Sequence, residues 1–182
     1  MSDTSKTASP VYSKNTIEFV AVAKSFCDYL EQTSQLEKQG FLETMVRLLP
    51  LLYLKGTLLP KNELIGEEQT EVFASETQYA MLAASIADLL GEDDAYLEVF
   101  HPDISLSDGP LASNISENIA DIWQDMYNFV ETFRQGYDEA MNDALYSCRT
   151  NFASFWGQSL VNVMRALHSI CYPSNENEDE EL

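Results

Sequence analysis

Glycine and proline are scarce in this sequence, with seven and six copies among 182 residues. β-Sandwiches and barrels need many tight turns, and those turns draw heavily on these two residues. Their scarcity argues against an all-β fold and favours long helices. Because 45% of the residues are apolar, the chain can bury one core, and we expect a single all-α domain.

Long hydrophobic runs are also missing. The most apolar segment, LLPLLYL, has seven residues between Arg47 and Lys55, whereas a helix needs about 20 to cross a bilayer. Residues 1–14 contain no apolar stretch after a basic start, so they indicate a disordered leader and not a secretion signal. We expect a cytoplasmic protein with a helical domain over residues 15–172 and an acidic disordered tail over residues 173–182.

Basic residues are few: ten Lys and Arg stand against thirty Asp and Glu, which gives a formal net charge of −20. Nucleic acids and anionic lipid surfaces attract proteins through Lys and Arg, so neither is an expected partner. The plain interpretation of this charge is solubility through self-repulsion. The alternative interpretation is an acidic mimic of nucleic acid or an acidic face that docks a basic partner.

Cysteine contributes no recognisable motif. The three copies, Cys27, Cys148 and Cys171, are odd in number and lack the C-x-x-C spacing of zinc and redox sites. We therefore expect buried, reduced thiols, as is usual in a reducing compartment.

Hydrophobic periodicity predicts the first two helices. The first covers residues 16–32, where apolar residues recur at intervals of three and four. Ser34 and Glu37 have the spacing of a capping box. The second helix is therefore expected to begin at Gln35 and to run to about Thr57.

Three further helices complete the predicted fold. The third spans residues 76–90 between a Ser75 cap and a terminal glycine, and the fourth follows a Ser113 cap and ends at Gly136. The last runs over residues 138–171 and reaches about 50 Å at 1.5 Å per residue. The prediction is a single-domain bundle of about five helices with a long C-terminal helix.

The second half of the last helix carries apolar residues outside its main stripe. Leu160, Val161 and Met164 extend the apolar face to the far side of the helix. Another helix or another subunit must cover that side. We therefore predict an interaction surface at these three residues and a possible homodimer through it.

Carboxylates recur on the fourth helix at Glu117, Asp121 and Asp125, four residues apart, although like charges at this spacing repel. Helical rotation places Glu117 towards solvent and Asp125 at the edge of the core. Asp121 and Asp125 could then share a groove with Glu139 and Asp143. Such oxygen ligands suit Mg²⁺ or Mn²⁺. The competing interpretation is a solvated acidic face without a metal, a cofactor or a catalytic residue.

Four segments together resemble a family of bacterial helical proteins known only as domain of unknown function 5063. They are LLPLLYLKGTLLP, YLEVFHPDI, ISENIADIWQDMYNFV and MNDALYSCRTNFASFWGQSLVNVMRALH. The likeness covers roughly residues 17–171. It implies a small cytosolic helical domain without an assigned activity, so no functional residue carries over from it.

The segment SENIADI is also similar to helix motifs of the all-α nucleotide pyrophosphohydrolases. Their E-x-x-E and E-x-x-D motifs hold magnesium against a nucleoside triphosphate. Here Glu117 and Asp121 are four residues apart where that family has three, and the upstream pair Glu68 and Glu71 lies in a segment flanked by proline and glycine.

Two hypotheses about function follow. The first is a non-catalytic, acidic protein-interaction module of the bacterial cytoplasm. The alternative is a magnesium-dependent phosphohydrolase that uses Asp121, Asp125, Glu139 and Asp143.

Overall fold

The computed structural model of the chain describes residues 9–66, 71–98 and 111–173. Residues 1–8 of the expected leader and 174–182 of the expected tail lie outside these ranges.

The described residues form five helices, as the hydrophobic periodicity predicts. The last of them is continuous over 34 residues but contains a π-helical turn, so it is described here in three parts. The bounds are α1 Lys14–Leu30, α2 Lys38–Thr57, α3 Glu76–Leu90, α4 Ile115–Gln135, α5 Asp138–Asn151, the π turn Phe152–Trp156 and α6 Gly157–Cys171. Within the described ranges, no helix combines the length and the apolar character that crossing a bilayer requires.

The predicted first residue of α3 and the predicted last turns of α3 and α4 are confirmed. Ser75 caps α3 and forms a capping box with Gln78. The residues that follow the two helices, Gly91 and Gly136, have φ angles of 62° and 76°, a backbone conformation that favours glycine.

The second helix begins later than predicted. Its first residue is Lys38, and Glu37 occupies the cap position without a side-chain capping hydrogen bond. Ser34 lies in a 3₁₀ turn, Thr33–Gln35. Leu36 after it is extended, with φ −90° and ψ 150°, and its side chain packs against the core. This packing overrides the local capping signal, so the prediction of Gln35 as the first residue is wrong.

A small antiparallel sheet precedes α4 and displaces its predicted cap. Strand β1, Ala95–Glu98, pairs with β2, Leu111–Asn114, and Ser113 therefore lies in a strand. The first turn of α4 needs an acceptor for its backbone N–H groups, and Asp94 supplies it. The carboxylate of Asp94 accepts the backbone N–H of Ser116 at 2.7 Å. A carboxylate suits this position because the helix N-terminus is positive.

Aromatic side chains of α1, α4 and the last helix meet in the centre of the bundle. The ring of Phe19 lies 5.2 Å from that of Phe129 and 6.2 Å from that of Trp156, and all three side chains are buried. Buried aromatic side chains of this size contribute strongly to core stability. α4 also packs against α3 and α5, and α2 packs along α6.

The π turn brings the last helix close to α2. A Cβ atom at Gly56 would lie 2.8 Å from Cη2 of Trp156, so only glycine fits this crossing without displacement. The indole N–H of Trp156 donates to the carbonyl of Cys148 at 3.0 Å. The hydrophobic spacing did not predict this turn, which rotates the residues after it around the helix axis relative to a regular α-helix and so brings Leu160 onto the buried face.

Candidate functional site

Asp125 lies at the edge of the core on α4 while Glu117 is exposed, as helical rotation predicts, and Asp121 between them is also partly buried. The two aspartates contact different helices. The hydroxyl of Tyr79 on α3 donates to Asp121 at 2.8 Å, and the amide of Asn151 on α5 donates to Asp125 at 2.9 Å. Burial raises the pKa of both carboxyls, and that of Asp125 reaches about 6.

Asp143 and Glu139 lie on α5 beside the segment that follows α2. Asp143 is buried, and its two carboxylate oxygens accept the backbone N–H groups of Ile65 and Gly66 at 2.8 Å each. Glu139 borders the same backbone, since a Cβ atom at Gly66 would lie 2.9 Å from its Oε1. Asp143 therefore fixes a connecting segment to the bundle.

The structure does not bring the four predicted metal ligands into one groove. Asp121 joins α4 to α3, Asp125 joins α4 to the end of α5, and Asp143 holds the segment after α2. Across the described ranges, no group of three or more His, Cys, Asp or Glu side chains is arranged to hold a metal ion. Binding of Mg²⁺ or Mn²⁺ at these residues stays a prediction.

The predicted apolar surface on α6 is mostly covered. Leu160 has an exposed fraction of 0% because α6 packs against α2 and α4 on this side. Met164 is partly buried against the same core, whereas Val161 is 42% exposed. Leu160 therefore cannot contribute to an interaction surface. The covering element is a helix of the same chain, one of the two possibilities that the sequence left open.

A second polar cluster fastens the small sheet to α4. Glu98 is buried and accepts hydrogen bonds from the hydroxyl of Tyr96 at 2.9 Å and the amide of Asn118 at 3.3 Å. Burial, together with the bond to Glu98, raises the pKa of the Tyr96 hydroxyl. A cavity of about 290 Å³ adjoins this cluster and is also lined by Arg165. The polar groups satisfy one another, which is typical of a structural network.

A larger surface groove of about 650 Å³ lies between α1 and α4, and we call it the α1–α4 groove. Its lining divides into an apolar floor and a charged rim. The floor is formed by Val20, Cys27, Tyr127, Val130 and Phe133. The rim is formed by Lys24, Asp28, Glu31, Glu131 and Arg134.

The two bases on the rim already have acidic partners. Lys24 pairs with Asp28 at 2.5 Å, and Arg134 pairs with Glu131 at 3.2 Å. No ion pair to Glu31 occurs among the described residues. The rim therefore carries one more acid than it has bases, and those bases are not free to attract an anionic partner.

Sequence reasoning missed this groove. The periodicity of α1 and α4 identifies which side chains flank each core-facing stripe. It does not show which flanks of the two helices adjoin, because that depends on how α1 crosses α4.

Comparisons with known proteins give a family and a structural relative without an activity. A family model described as "Domain of unknown function (DUF5063)" matches residues 10–173. The chain is similar to protein BF1032 from Bacteroides fragilis, which has a crystal structure. The two are 42% identical in sequence, the TM-score is 0.81, and the match covers 92% of this chain and 98% of that chain. No curated protein matches the chain significantly.

Proposed function

Since the chain belongs to the DUF5063 family, whose description assigns no activity, we propose a function from the surface that the fold presents. The protein is a non-catalytic, acidic interaction module that binds a basic protein. A basic surface on the partner complements the excess of carboxylates on this protein. The attraction between the opposite charges also raises the rate at which the two proteins associate.

The observation that carries this proposal is that most Lys and Arg side chains are already paired with carboxylates of the same chain. Carboxylates outnumber Lys and Arg thirty to ten. At least six bases already form ion pairs with carboxylates of the same chain. These bases are Lys14, Lys24, Lys38, Arg47, Lys55 and Arg134. The remaining surface is therefore dominated by unpaired acids, and it suits a basic partner far better than a phosphate or an anionic lipid.

The roles of the buried carboxylates support a non-catalytic module. Asp94 caps α4, Asp143 holds the segment after α2, and Asp121 and Asp125 join neighbouring helices. Each of these groups already accepts a hydrogen bond that contributes to the fold, and that use accounts for their burial.

The bacterial cytoplasm is the compartment that fits this proposal. Cys27 and Cys148 are free and buried, as is usual for thiols in a reducing compartment. The similar protein from Bacteroides fragilis supports a bacterial source.

The test is to identify the partner and then to measure binding with purified components. Full-length protein is used to capture partners from a lysate of the source bacterium, in parallel with a variant that neutralises exposed acids. The variant carries Glu76→Gln, Asp88→Asn, Glu92→Gln and Glu117→Gln. We expect a basic protein that binds with defined stoichiometry in calorimetry, and at least about tenfold more weakly at about 0.5 M than at about 0.1 M salt.

Two results would overturn the proposal. One is that no captured basic protein binds once it is purified. The other is binding that does not weaken with salt, or that does not weaken in the charge-neutralised variant, since attraction by the acidic surface requires both responses.

The magnesium-dependent phosphohydrolase is the alternative proposal. It requires Asp121, Asp125, Glu139 and Asp143 to leave their present contacts and to converge on an ion. A metal titration separates it from the binding module.

A further inference from the structure

The α1–α4 groove has the form of a docking site for a helix. Its floor is apolar, and Val20, Val130 and Phe133 are only partly buried, so a partner could remove more of their surface from water. Ile17 lies one turn before Val20 on the same face of α1 and is 57% exposed. From Ile17 to Glu31 this face is about 21 Å long, or about four helical turns.

Backbone chemistry selects a helix over an extended peptide. Both walls of the groove are α-helices, whose N–H and C=O groups are bonded within each helix. An extended peptide gains affinity by adding a strand to an open sheet edge, and these walls offer none. A third helix needs no backbone partners, because it inserts a ridge of side chains between α1 and α4.

Charge selects the kind of helix. The rim carries three acids against the two bases Lys24 and Arg134, and the chain as a whole has a net charge of −20. A second copy of this chain would bring the same negative charge to the groove and would be repelled. A helix with Lys and Arg beside its apolar face would meet Glu31 and the surrounding negative surface with opposite charge.

We propose that the α1–α4 groove binds an amphipathic helix of the basic partner, with its apolar face on Val20, Val130 and Phe133. The basic flank of that helix lies against Glu31, the rim acid that has no ion pair among the described residues. This inference rests on the proposed function and adds the surface and the partner's secondary structure.

A designed peptide tests the groove without knowledge of the natural partner. The probe is a labelled Leu/Lys peptide of about 16 residues whose leucines repeat at helical spacing. A peptide of the same composition with alternating leucines serves as the control for charge alone. Binding of both peptides to the full chain is measured by fluorescence anisotropy at about 0.15 M salt.

Matched protein variants locate the binding surface. The double variant Val20→Gln and Val130→Gln removes apolar groups from the groove without changing charge. Leu51→Gln with Leu54→Gln does the same on α2, where these leucines are 41% and 53% exposed. We expect the groove variant to weaken binding of the helical peptide at least about tenfold and the α2 variant to change it by less than about twofold.

Methyl NMR on the unaltered protein gives a readout that does not depend on a variant folding. We expect the helical peptide to shift the methyl signals of Val20 and Val130 and to leave those of Leu54 in place.

Three outcomes would overturn the proposal that this groove binds a helix. They are no binding of the helical peptide, equally strong binding of the alternating peptide, and an equal loss of peptide affinity in the groove variant and the α2 variant. None of them removes the proposed function, which depends on the purified basic partner. Conversely, a partner that binds independently of salt would remove the proposed function even if the peptide occupies the groove.

Discussion

Asp94 and Ser116 are joined by two hydrogen bonds across 22 positions of sequence, and together they begin α4. One carboxylate oxygen accepts the backbone N–H of Ser116 and the other accepts its hydroxyl, each at 2.7 Å. Asp94 also accepts the amide of Asn114 at 2.9 Å and is itself buried. A residue that precedes the small sheet thus caps the helix that follows it.

Replacing Asp94 with alanine should destabilise the fold. The change removes the cap and leaves a buried N–H of Ser116 without an acceptor, so we expect the free energy of unfolding to fall by about 2 kcal/mol. Urea unfolding followed by circular dichroism measures this loss. Asp93→Ala is the control, because Asp93 makes an exposed ion pair with Lys38, and its removal should cost less than about 1 kcal/mol. Equal losses would refute the capping role.

Two glycines of α2 should respond to alanine in opposite directions. Gly56→Ala places a methyl group 2.8 Å from Trp156, and we expect such overpacking to cost about 1–3 kcal/mol. A Cβ at Gly40 meets nothing within 4 Å, so Gly40→Ala should stabilise the helix by up to about 1 kcal/mol. Thermal unfolding of both variants checks the pair. A stabilised Gly56→Ala protein would show that the crossing of α2 and the π turn is looser than described.

The helices were predictable where the decisive signal is local. Ile119, Trp123 and Met126 recur at helical spacing and are all buried, so the periodicity of α4 follows directly from its packing. The starts of α2 and α4 were mispredicted because distant contacts decide them. Leu36 packs against the core in an extended conformation, and Asp94 supplies a cap that no local spacing contains.

Asp143 and Glu139 should differ sharply in their contribution to stability. Asp143→Ala removes the acceptor of two backbone N–H groups, and we expect a loss of about 2–3 kcal/mol. Hydrogen exchange at the amides of Ile65 and Gly66 should also become faster. Glu139→Ala is the matched control, since Glu139 only borders Gly66, and its effect should stay within about 0.5 kcal/mol. Unchanged exchange at both amides in the Asp143 variant would contradict the anchoring role.

Asp125 should make stability depend on pH. Its native pKa of about 6 lies above its ordinary value of 3.8. The folded protein therefore binds more protons than the unfolded chain in this window, and stability falls as pH rises from about 4 to about 6. Asp125→Asn removes the buried charge and keeps an oxygen acceptor for Asn151. We expect this variant to be more stable by about 2–3 kcal/mol at pH 7 and equal to the original protein below pH 4.

Urea unfolding at pH 4 and pH 7 checks the pH dependence of Asp125. Glu117→Gln, on the exposed face of the same helix, is the control and should show no comparable gain. If Asp125→Asn raises the free energy of unfolding by the same amount at both pH values, desolvation of the carboxylate is excluded as the cause of the stabilisation.

The candidate site was less predictable than the fold, because it depends on which helix flanks adjoin. The sequence correctly places Glu117 towards solvent and Asp125 at the edge of the core. It cannot show that Tyr79 lies opposite Asp121 or that Asn151 lies opposite Asp125. Likewise, Leu160 continues an apolar face whose covering helix becomes apparent only from the packing of α2 along α6.

Metal binding separates the two proposed functions. Calorimetric titration with Mg²⁺ and Mn²⁺ at about 0.15 M salt, which screens diffuse attraction to the acidic surface, should show no specific site near millimolar concentration. The reason is that Asp121 and Asp125 already accept hydrogen bonds from different helices. A metal would have to break both contacts to gather the two carboxylates. The double variant Asp121→Asn and Asp125→Asn is titrated in parallel, with Glu117→Gln as the control. Binding that disappears in the double variant and persists in the control would establish a metal site and favour the phosphohydrolase. Weak binding that is equal in all three proteins reflects only the surface charge, and it agrees with the interaction module.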